Sequence, residues 1–167
     1  MSKVVSEGKK GPVGVGFIGA GVISDQYLTN LTKFPDVKVH FIADLDLARA
    51  KSQADKWGVA GSGTVDELLA HPDVEIVVNL TIPAAHADVD LKCIAVGKHV
   101  WSEKPMALEV SKGRELIALA QKKGVGFWAA PNCVTSPQFA FMARTVGRMI
   151  SRIACSNRAG VRTEAGE

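Results

Sequence analysis

Hydrophobic and polar positions divide the first 131 residues into two alternating kinds of segment. Short apolar runs, most of them ending at glycine, proline or an acid, predict buried strands. They cover residues 13–21, 37–44, 74–83, 99–105 and 125–131. Between them, apolar residues recur at helical spacing, bounded by capping residues and prolines. The predicted helices cover residues 22–34, 47–58, 64–73, 84–98 and 107–124.

The alternation of strands and helices predicts an α/β fold. The strands are apolar on both faces, and no Asn-Gly hairpin turn joins any two of them. Such strands belong in a parallel sheet that is covered by helices on both sides. With right-handed crossovers, the expected fold is a doubly wound, mostly parallel sheet, a Rossmann fold. Ligands of these sheets bind beyond the carboxyl ends of the strands, so candidate functional residues are sought there.

Two glycine patterns compete in the first strand and the turn after it. Gly14-x-Gly16-x-x-Gly19 has the spacing of a dinucleotide fingerprint, but it falls inside the predicted strand. The alternative, Gly19-x-Gly21-x-x-Ser24, lies where a strand gives way to a helix. There Gly19 would make the tight turn, and Gly21 would let a pyrophosphate approach the helix N-terminus. Ser24 departs from the usual third glycine or alanine but is also small.

Asp44 strengthens the second pattern. It ends the second predicted strand, 23 residues after Gly21, where an acid commonly binds the adenosine ribose hydroxyls. The order of strand, glycine turn, helix, strand and acid therefore predicts dinucleotide binding. An acid at this position repels a 2′-phosphate, which favours NAD, while the nearby Arg49 leaves NADP open.

The segment after the third strand offers further polar groups. Thr81 supplies a hydroxyl, and Pro83 is suited to the first turn of the next helix. His86, one turn into that helix, is either a cofactor contact or a half-exposed surface residue. His40 and His99 lie within strands and are interpreted as structural. No group of histidines, cysteines and carboxylates has metal-ligand spacing along the sequence, so no metal site is predicted.

Composition and charge exclude several classes of protein. Hydrophobic residues make up 47% and charged residues 22% of the 167 positions, which is typical of a soluble globular protein. The net charge of +3 resides in residues 144–167, so the body has no basic surface for nucleic acid. No apolar run approaches the roughly 20 residues of a membrane helix. The scattered Cys93, Cys133 and Cys155 favour a reducing, cytoplasmic location over a disulfide framework.

Five segments together resemble the glucose–fructose oxidoreductase and inositol dehydrogenase family of sugar and polyol dehydrogenases. They are "GFIGAGVIS", "ADLD", "DVEIVVNLTIPAAH", "AVGKHVWSEKPMAL" and "APN", and the resemblance covers about residues 12–137. It implies an NAD(P)-dependent hydride transfer between the nicotinamide and a hydroxyl or carbonyl substrate. It also implies that Glu103, Lys104 and Pro105 form a turn at the cofactor pocket, often with a cis proline bond.

Within that turn, Lys104 is the predicted catalytic residue. The resemblance places it near both nicotinamide and substrate, and a lysine at the end of a strand could stabilise a developing alkoxide or assist proton transfer. Glu103 could tune this lysine, although neighbours on a strand point to opposite faces. The full set of predicted cofactor contacts is Ile18, Gly19, Gly21, Val22, Ile23, Asp44, Leu80, Thr81, Pro83, His86, Glu103, Lys104 and Asn132.

The predicted domain organisation consists of one large domain and three short segments. Residues 1–11 are expected to be a flexible lead-in, 12–135 the dinucleotide-binding domain, 136–150 a connecting helix and 151–167 an irregular tail. The family's second α/β domain, which would hold the small sugar-like or polyol-like substrate, is expected to be missing. Two functions therefore stay open, an oxidoreductase reduced to its cofactor domain and a non-catalytic nucleotide-binding module. A homo-oligomer is also left open, and neither nucleic acid nor membrane is expected as a partner.

Overall fold

Six strands and five helices alternate along residues 11–130 of the computed structural model, which also describes residues 144–145. The strands are β1 (Val13–Ile18), β2 (Val37–Ala43), β3 (Gly61–Gly63), β4 (Ile76–Asn79), β5 (His99–Ser102) and β6 (Phe127–Ala129). The helices are α1 (Val22–Leu31), α2 (Leu47–Trp57), α3 (Val65–Ala70), α4 (His86–Ala95) and α5 (Val110–Lys123). Among these helices none is long and apolar enough to cross a membrane.

Some of the predicted segments lie outside the described residues. These are residues 1–10 of the lead-in, Asn132, the tail 151–167 and the connecting helix 136–150, except for Arg144 and Thr145, which are helical. The chain divides into the units Met1–Ala130 and Pro131–Glu167. The description below concerns the first of them.

All six strands belong to one sheet in the order β3-β2-β1-β4-β5-β6. Every neighbouring pair is parallel, which confirms the predicted doubly wound fold. On one side of β1 lie β2 and β3, and on its other side lie β4, β5 and β6. The order reverses between β1 and β4, where such sheets open a ligand crevice at their carboxyl ends.

The short strand β3 was missed by the sequence pattern. It consists of Gly61, Ser62 and Gly63 and contains no apolar side chain. Its place at the edge of the sheet depends on close packing, because a Cβ at Gly61 would lie 2.5 Å from the Phe41 ring. Hydrophobic periodicity cannot detect a strand of this kind.

Local capping explains most of the helix boundaries. The Asp46 side chain accepts a hydrogen bond from the Arg49 N–H at the start of α2, and Gly58 ends that helix with φ of 65°. Thr64 and Glu67 form a reciprocal capping box at α3. The start of α4 was predicted two residues too early, because residues 82–85 form a turn and the helix begins at His86.

The hydrophobic core lies in two layers, one on each face of the sheet. Adjacent residues of β1 point to opposite layers: Phe17 packs with Leu28 and Ile42, while Ile18 packs in the layer that contains Val77 and Leu116. All six of these side chains are buried. Burial on both faces is the physical reason for the uninterrupted apolar runs in the central strands.

We expect Gly14→Ala to reduce the free energy of unfolding by about 2–3 kcal/mol, as overpacking does. A Cβ at Gly14 would lie 1.6 Å from the carbonyl oxygen of Asp73, so the backbone before β4 would have to move. The matched control is Gly21→Ala, where nothing lies within 4 Å of the added Cβ. Urea unfolding of both variants measures the difference, and equal midpoints would contradict this account.

Candidate functional site

Three turns meet at the carboxyl edge of the central strands. The Leu80 N–H donates to the Ile18 carbonyl over 2.8 Å, which ties the turn after β4 to the end of β1. The Glu103 N–H donates to the Asn79 carbonyl over 2.9 Å, which ties the turn after β5 to the end of β4. The crevice at the point where the strand order reverses is therefore bordered by residues 19–21, 79–86 and 103–105.

The glycine turn after β1 uses its two glycines for different reasons. Gly19 has φ of +106°, and a Cβ there would lie 2.7 Å from the Leu80 carbonyl oxygen, so both conformation and packing require glycine. Gly21 has φ of −75°, which any residue adopts, and a Cβ there would meet nothing within 4 Å. Neither the backbone conformation nor the packing of this chain therefore requires a glycine at position 21.

The first turn of α1 faces solvent at this edge. Val22 is 89% and Ile23 37% exposed, although both are apolar. Ser24, the third position of the glycine pattern, is fully buried, and its hydroxyl donates to the Gly21 carbonyl over 2.6 Å. A small polar residue thus fills the packing position that glycine or alanine usually takes.

Asp44 contacts the glycine turn directly. Its Oδ2 accepts a hydrogen bond from the Ala20 N–H over 2.7 Å, and its Oδ1 accepts from the Asp46 N–H over 2.9 Å. The Arg49 guanidinium, which is half exposed, lies 3.2 Å from Oδ1. The predicted acid is therefore fixed beside the turn, with the neighbouring arginine paired to it.

Asn79 organises the turn after β4, and sequence reasoning missed it. Its amide donates to the His86 carbonyl over 3.2 Å and to Asp90 Oδ1 over 2.7 Å. Its carbonyl oxygen accepts from the Thr81 N–H over 3.1 Å and from the Thr81 hydroxyl over 2.7 Å. The available signal was a single asparagine inside the apolar run "VEIVVNL", where an amide requires partners.

His86 is buried, with 1% of its surface exposed, and connects two of the turns. Its Nδ1 lies 2.7 Å from the Pro105 carbonyl oxygen, and its Nε2 lies 2.9 Å from the Thr81 carbonyl oxygen. Because a carbonyl oxygen only accepts, a neutral ring can donate to one of the two and an imidazolium to both. The interpretation as a half-exposed surface residue was wrong, since both nitrogens face backbone carbonyls.

Two other members of the predicted set border the same turn. Leu80 is buried with 6% exposed, whereas Pro83 is exposed and lies in the turn before α4. Pro83 was predicted inside the first helical turn, but the helix begins three residues later. Its fixed φ shapes the entry to the helix rather than its first position.

Glu103 and Lys104 point to different surroundings. Glu103 is buried, and its Oε1 accepts a hydrogen bond from the Tyr27 hydroxyl over 2.6 Å, while its Oε2 accepts from the backbone N–H of Lys104 over 3.1 Å. Trp101 Nε1 donates to the Tyr27 hydroxyl over 3.3 Å. Burial, reinforced by the bond to Glu103, raises the pKa of Tyr27 to about 12, so the phenol stays protonated.

The Lys104 side chain is exposed, and within residues 11–130 its ammonium makes no hydrogen bond or ion pair. The expectation that Glu103 would tune this ammonium is therefore corrected, because the carboxylate contacts the backbone N–H instead. The peptide bond between Lys104 and Pro105 is cis, as the resemblance implied. The turn thus carries an exposed ammonium without a hydrogen bond or ion pair among residues 11–130, next in sequence to a buried carboxylate whose two oxygens are both hydrogen-bonded.

A parallel sheet with a glycine turn after β1, an acid at the end of β2 and a lysine turn after β5 defines a nucleotide-binding oxidoreductase domain. The family comparison agrees with this class. Residues 13–130 match the model of the oxidoreductase family with an NAD-binding Rossmann fold, GFO_IDH_MocA. The chain belongs to this family and contains its NAD-binding domain.

Curated relatives include dehydrogenases and reductases of small hydroxylated molecules. Trans-1,2-dihydrobenzene-1,2-diol dehydrogenase of Xenopus tropicalis is 35% identical over 121 residues, covering 68% of this chain and 37% of the relative. The 1,5-anhydro-D-fructose reductase of Ensifer adhaerens is 32% identical over 111 residues, covering 66% and 33%. This chain therefore matches about a third of the length of these relatives.

Solved structures with the same fold contain either nicotinamide cofactor. GenD2 from gentamicin A biosynthesis, in complex with NAD, has a TM-score of 0.74 at 32% identity and covers 78% of this chain and 37% of that one. KijD10, a 3-ketoreductase from Actinomadura kijaniata in complex with TDP-benzene and NADP, has a TM-score of 0.74 at 27% identity, with 84% and 44% covered.

Asp90, beneath the Asn79 turn, makes the stability depend on pH. Burial raises the pKa of its carboxyl from 3.8 to about 6, against the opposing hydrogen bond from Asn79. Its Oδ2 and the Ser102 hydroxyl make no hydrogen bond within the described residues, although the hydroxyl is near enough to lower this pKa. Because the folded pKa is raised, the stability contributed by the protonated carboxyl is present below pH 4 and lost as the pH rises through about 6.

We expect Asp90→Asn to remove this pH dependence. The amide keeps an acceptor for Asn79, offers a donor toward Ser102 and carries no charge. Relative to wild type, the variant should gain up to about 3 kcal/mol of unfolding free energy between pH 4 and pH 7.5, since each pKa unit corresponds to about 1.4 kcal/mol. Urea unfolding at both pH values measures this gain, and parallel pH profiles of the two proteins would contradict it.

Proposed function

We propose that residues 12–135 form the cofactor-binding domain of an oxidoreductase that transfers hydride between NAD and a hydroxyl or carbonyl group of a small sugar, polyol or diol. The observation that supports this best is the exposed Lys104 ammonium at the turn after β5, which has no hydrogen bond or ion pair within residues 11–130, in a chain that belongs to an oxidoreductase family. The substrate class is proposed from the relatives named above.

The residues at the crevice fit a dinucleotide. The open space at Gly21 and the exposed first turn of α1 suit a pyrophosphate, because the free N–H groups of a helix N-terminus attract anions. Gly19, Val22 and Ile23 would border it, and the Asp44 carboxylate would meet the ribose hydroxyls. When bound, the nicotinamide supplies or accepts the hydride, which is chemistry that no side chain provides.

Lys104 would be the residue that touches the reacting oxygen. An exposed ammonium with no partner among residues 11–130 can donate a hydrogen bond to an alkoxide as its charge develops and can pass a proton to it, and the neutral amine can take a proton back. The bond from its backbone N–H to Glu103, which Tyr27 holds in turn, fixes the start of this turn. His86 fixes the other side by contacting the Pro105 carbonyl. Glu103 and His86 are thus positioning residues in this proposal.

The proposed cofactor preference is NAD over NADP. The Asp44 carboxylate is nine-tenths buried and carries a negative charge where a 2′-phosphate would lie. Arg49, the cation that could bind that phosphate, is already paired with Asp44.

We also propose a reducing, cytoplasmic location. It is supported by Cys93, a buried free thiol whose pKa is raised to about 12 by burial.

A non-catalytic nucleotide-binding module is the second candidate. It is favoured by one observation: the predicted site residues that border the crevice within residues 11–130 all belong to the predicted set of cofactor contacts. The two candidates share the cofactor and differ in whether Lys104 is needed.

Cofactor binding is tested first with Gly21→Val. Because Gly21 serves neither the backbone nor the packing of this chain, the variant should fold with an unchanged melting temperature. Its side chain would fill the proposed pyrophosphate position, so the Kd for NADH should rise at least about tenfold, or about 1.4 kcal/mol. Titration of NADH fluorescence measures it. Equal affinity in the two proteins would reject a dinucleotide at this turn.

Catalysis is tested with Lys104→Ala. NAD reduction is measured with a panel of diols, polyols and aldose sugars, and the variant should lose at least about 100-fold in kcat/KM, typical for a proton-transfer residue. The fold should be preserved, because the ammonium has no partner among residues 11–130. The control is Lys33→Ala, an exposed lysine just beyond α1. A kcat/KM that Lys104→Ala leaves unchanged would reject the catalytic role of Lys104.

A further inference from the structure

Three possible metal ligands meet at the amino ends of the strands, opposite the crevice. His40 belongs to β2, and His71 and Asp73 belong to the loop between α3 and β4. Each residue offers one ligand atom, and these atoms all lie within 4.8 Å of one another. In a tetrahedral zinc site with bonds of about 2.0–2.1 Å, donor atoms lie about 3.4 Å apart. Side-chain rotation by about 1 Å would therefore bring the three donors onto one ion.

The backbone holds these ligands in place. The pairing register between β1 and β2 shifts at Val15, whose partner is Val39, while Gly16 pairs with Phe41. His40 is thus the extra residue of a β-bulge, a feature that re-aims a side chain. The position is also crowded, because a Cβ at Gly14 would lie 3.3 Å from His40 Cδ2.

The loop that supplies the other two ligands is fixed on both sides of Asp73. The Lys98 ammonium donates to the His71 carbonyl over 2.9 Å and to the Val74 carbonyl over 2.6 Å. The Asp73 N–H donates to His71 Nδ1 over 3.2 Å. A bound ion would replace this last bond, because a ligating imidazole presents one bare nitrogen to the metal and carries its proton on the other.

The charge of the cluster also suits a cation. The carboxylate of Asp73 is exposed and supplies a negative charge to the same place.

We propose that His40, His71 and Asp73 bind one divalent transition-metal ion of the zinc type. Two imidazoles and a carboxylate are a donor set that Zn²⁺ prefers, with water completing the coordination. The ion would link β2 to the loop before β4 and so stabilise the amino edge of the sheet. The site is separate from the cofactor crevice and does not depend on the function proposed above.

The test is a calorimetric titration of the whole chain with ZnCl₂, together with thermal unfolding. One ion per chain should bind and raise the melting temperature, because it binds the folded state. His71→Ala and Asp73→Asn should each weaken binding at least about tenfold; Asp73→Asn changes only an exposed side chain and so preserves the fold. The control is His99→Asn, which removes a histidine outside the cluster and should leave the affinity unchanged.

Cobalt distinguishes this site from binding at cysteine. Co²⁺ held by imidazole and carboxylate should give only weak visible bands, which His71→Ala abolishes. Strong near-ultraviolet bands that persist in His71→Ala would place the ion on a thiolate and overturn the proposal. Absence of zinc binding, or equal affinity in wild type and in both cluster variants, would overturn it as well.

Discussion

The side chain of Asn79 is the constraint on which the crevice depends. It lies buried at the end of β4 and fills all four of its hydrogen-bonding positions, two as donor and two as acceptor. These bonds fix Thr81 and the first residue of α4, His86. His86 in turn contacts the carbonyl of Pro105 and so joins the turn after β4 to the turn after β5. The position of the turn that contains Lys104 thus depends on the buried Asn79 amide, through His86.

The buried polar groups around Asn79 organise the carboxyl edge of the sheet, but they also oppose the stability of the fold. Asp90 accepts only one hydrogen bond, its second oxygen has none within the described residues, and burial raises its pKa. A carboxyl in such surroundings ionises less readily than it does in water. The nearby His86, whose two nitrogens both face carbonyls, favours the charged form of that carboxyl. Stability and site geometry are therefore coupled through one small polar cluster beneath the sheet edge.

The sequence predicted the fold well because its strongest signals are local. Apolar runs such as "VEIVVNL" reflect burial on two faces, and Thr64 with Glu67 marks a helix start by reciprocal hydrogen bonds. The same reasoning placed Gly19, Asp44 and Lys104 at the carboxyl edge. It failed at β3, whose Gly-Ser-Gly sequence contains no apolar side chain, and at the start of α4, where residues 82–85 form a turn before the helix. At β3 the deciding contact is packing against Phe41, whereas the turn before α4 is formed by local hydrogen bonds.

Contacts between distant residues explain what the sequence could not show of the site. Tyr27 and Glu103 are 76 positions apart, and their hydrogen bond directs the carboxylate away from the Lys104 ammonium. His40 and His71 are brought together only by the pairing of β2 with the rest of the sheet. Sequence motifs detect residues at short, fixed spacings along the chain, so they could predict neither of these two contacts. In any parallel sheet, each edge brings together side chains from strands that lie far apart in sequence. Ligands of parallel sheets bind at the carboxyl edge, whereas the candidate metal site lies at the amino edge, which no sequence motif marks.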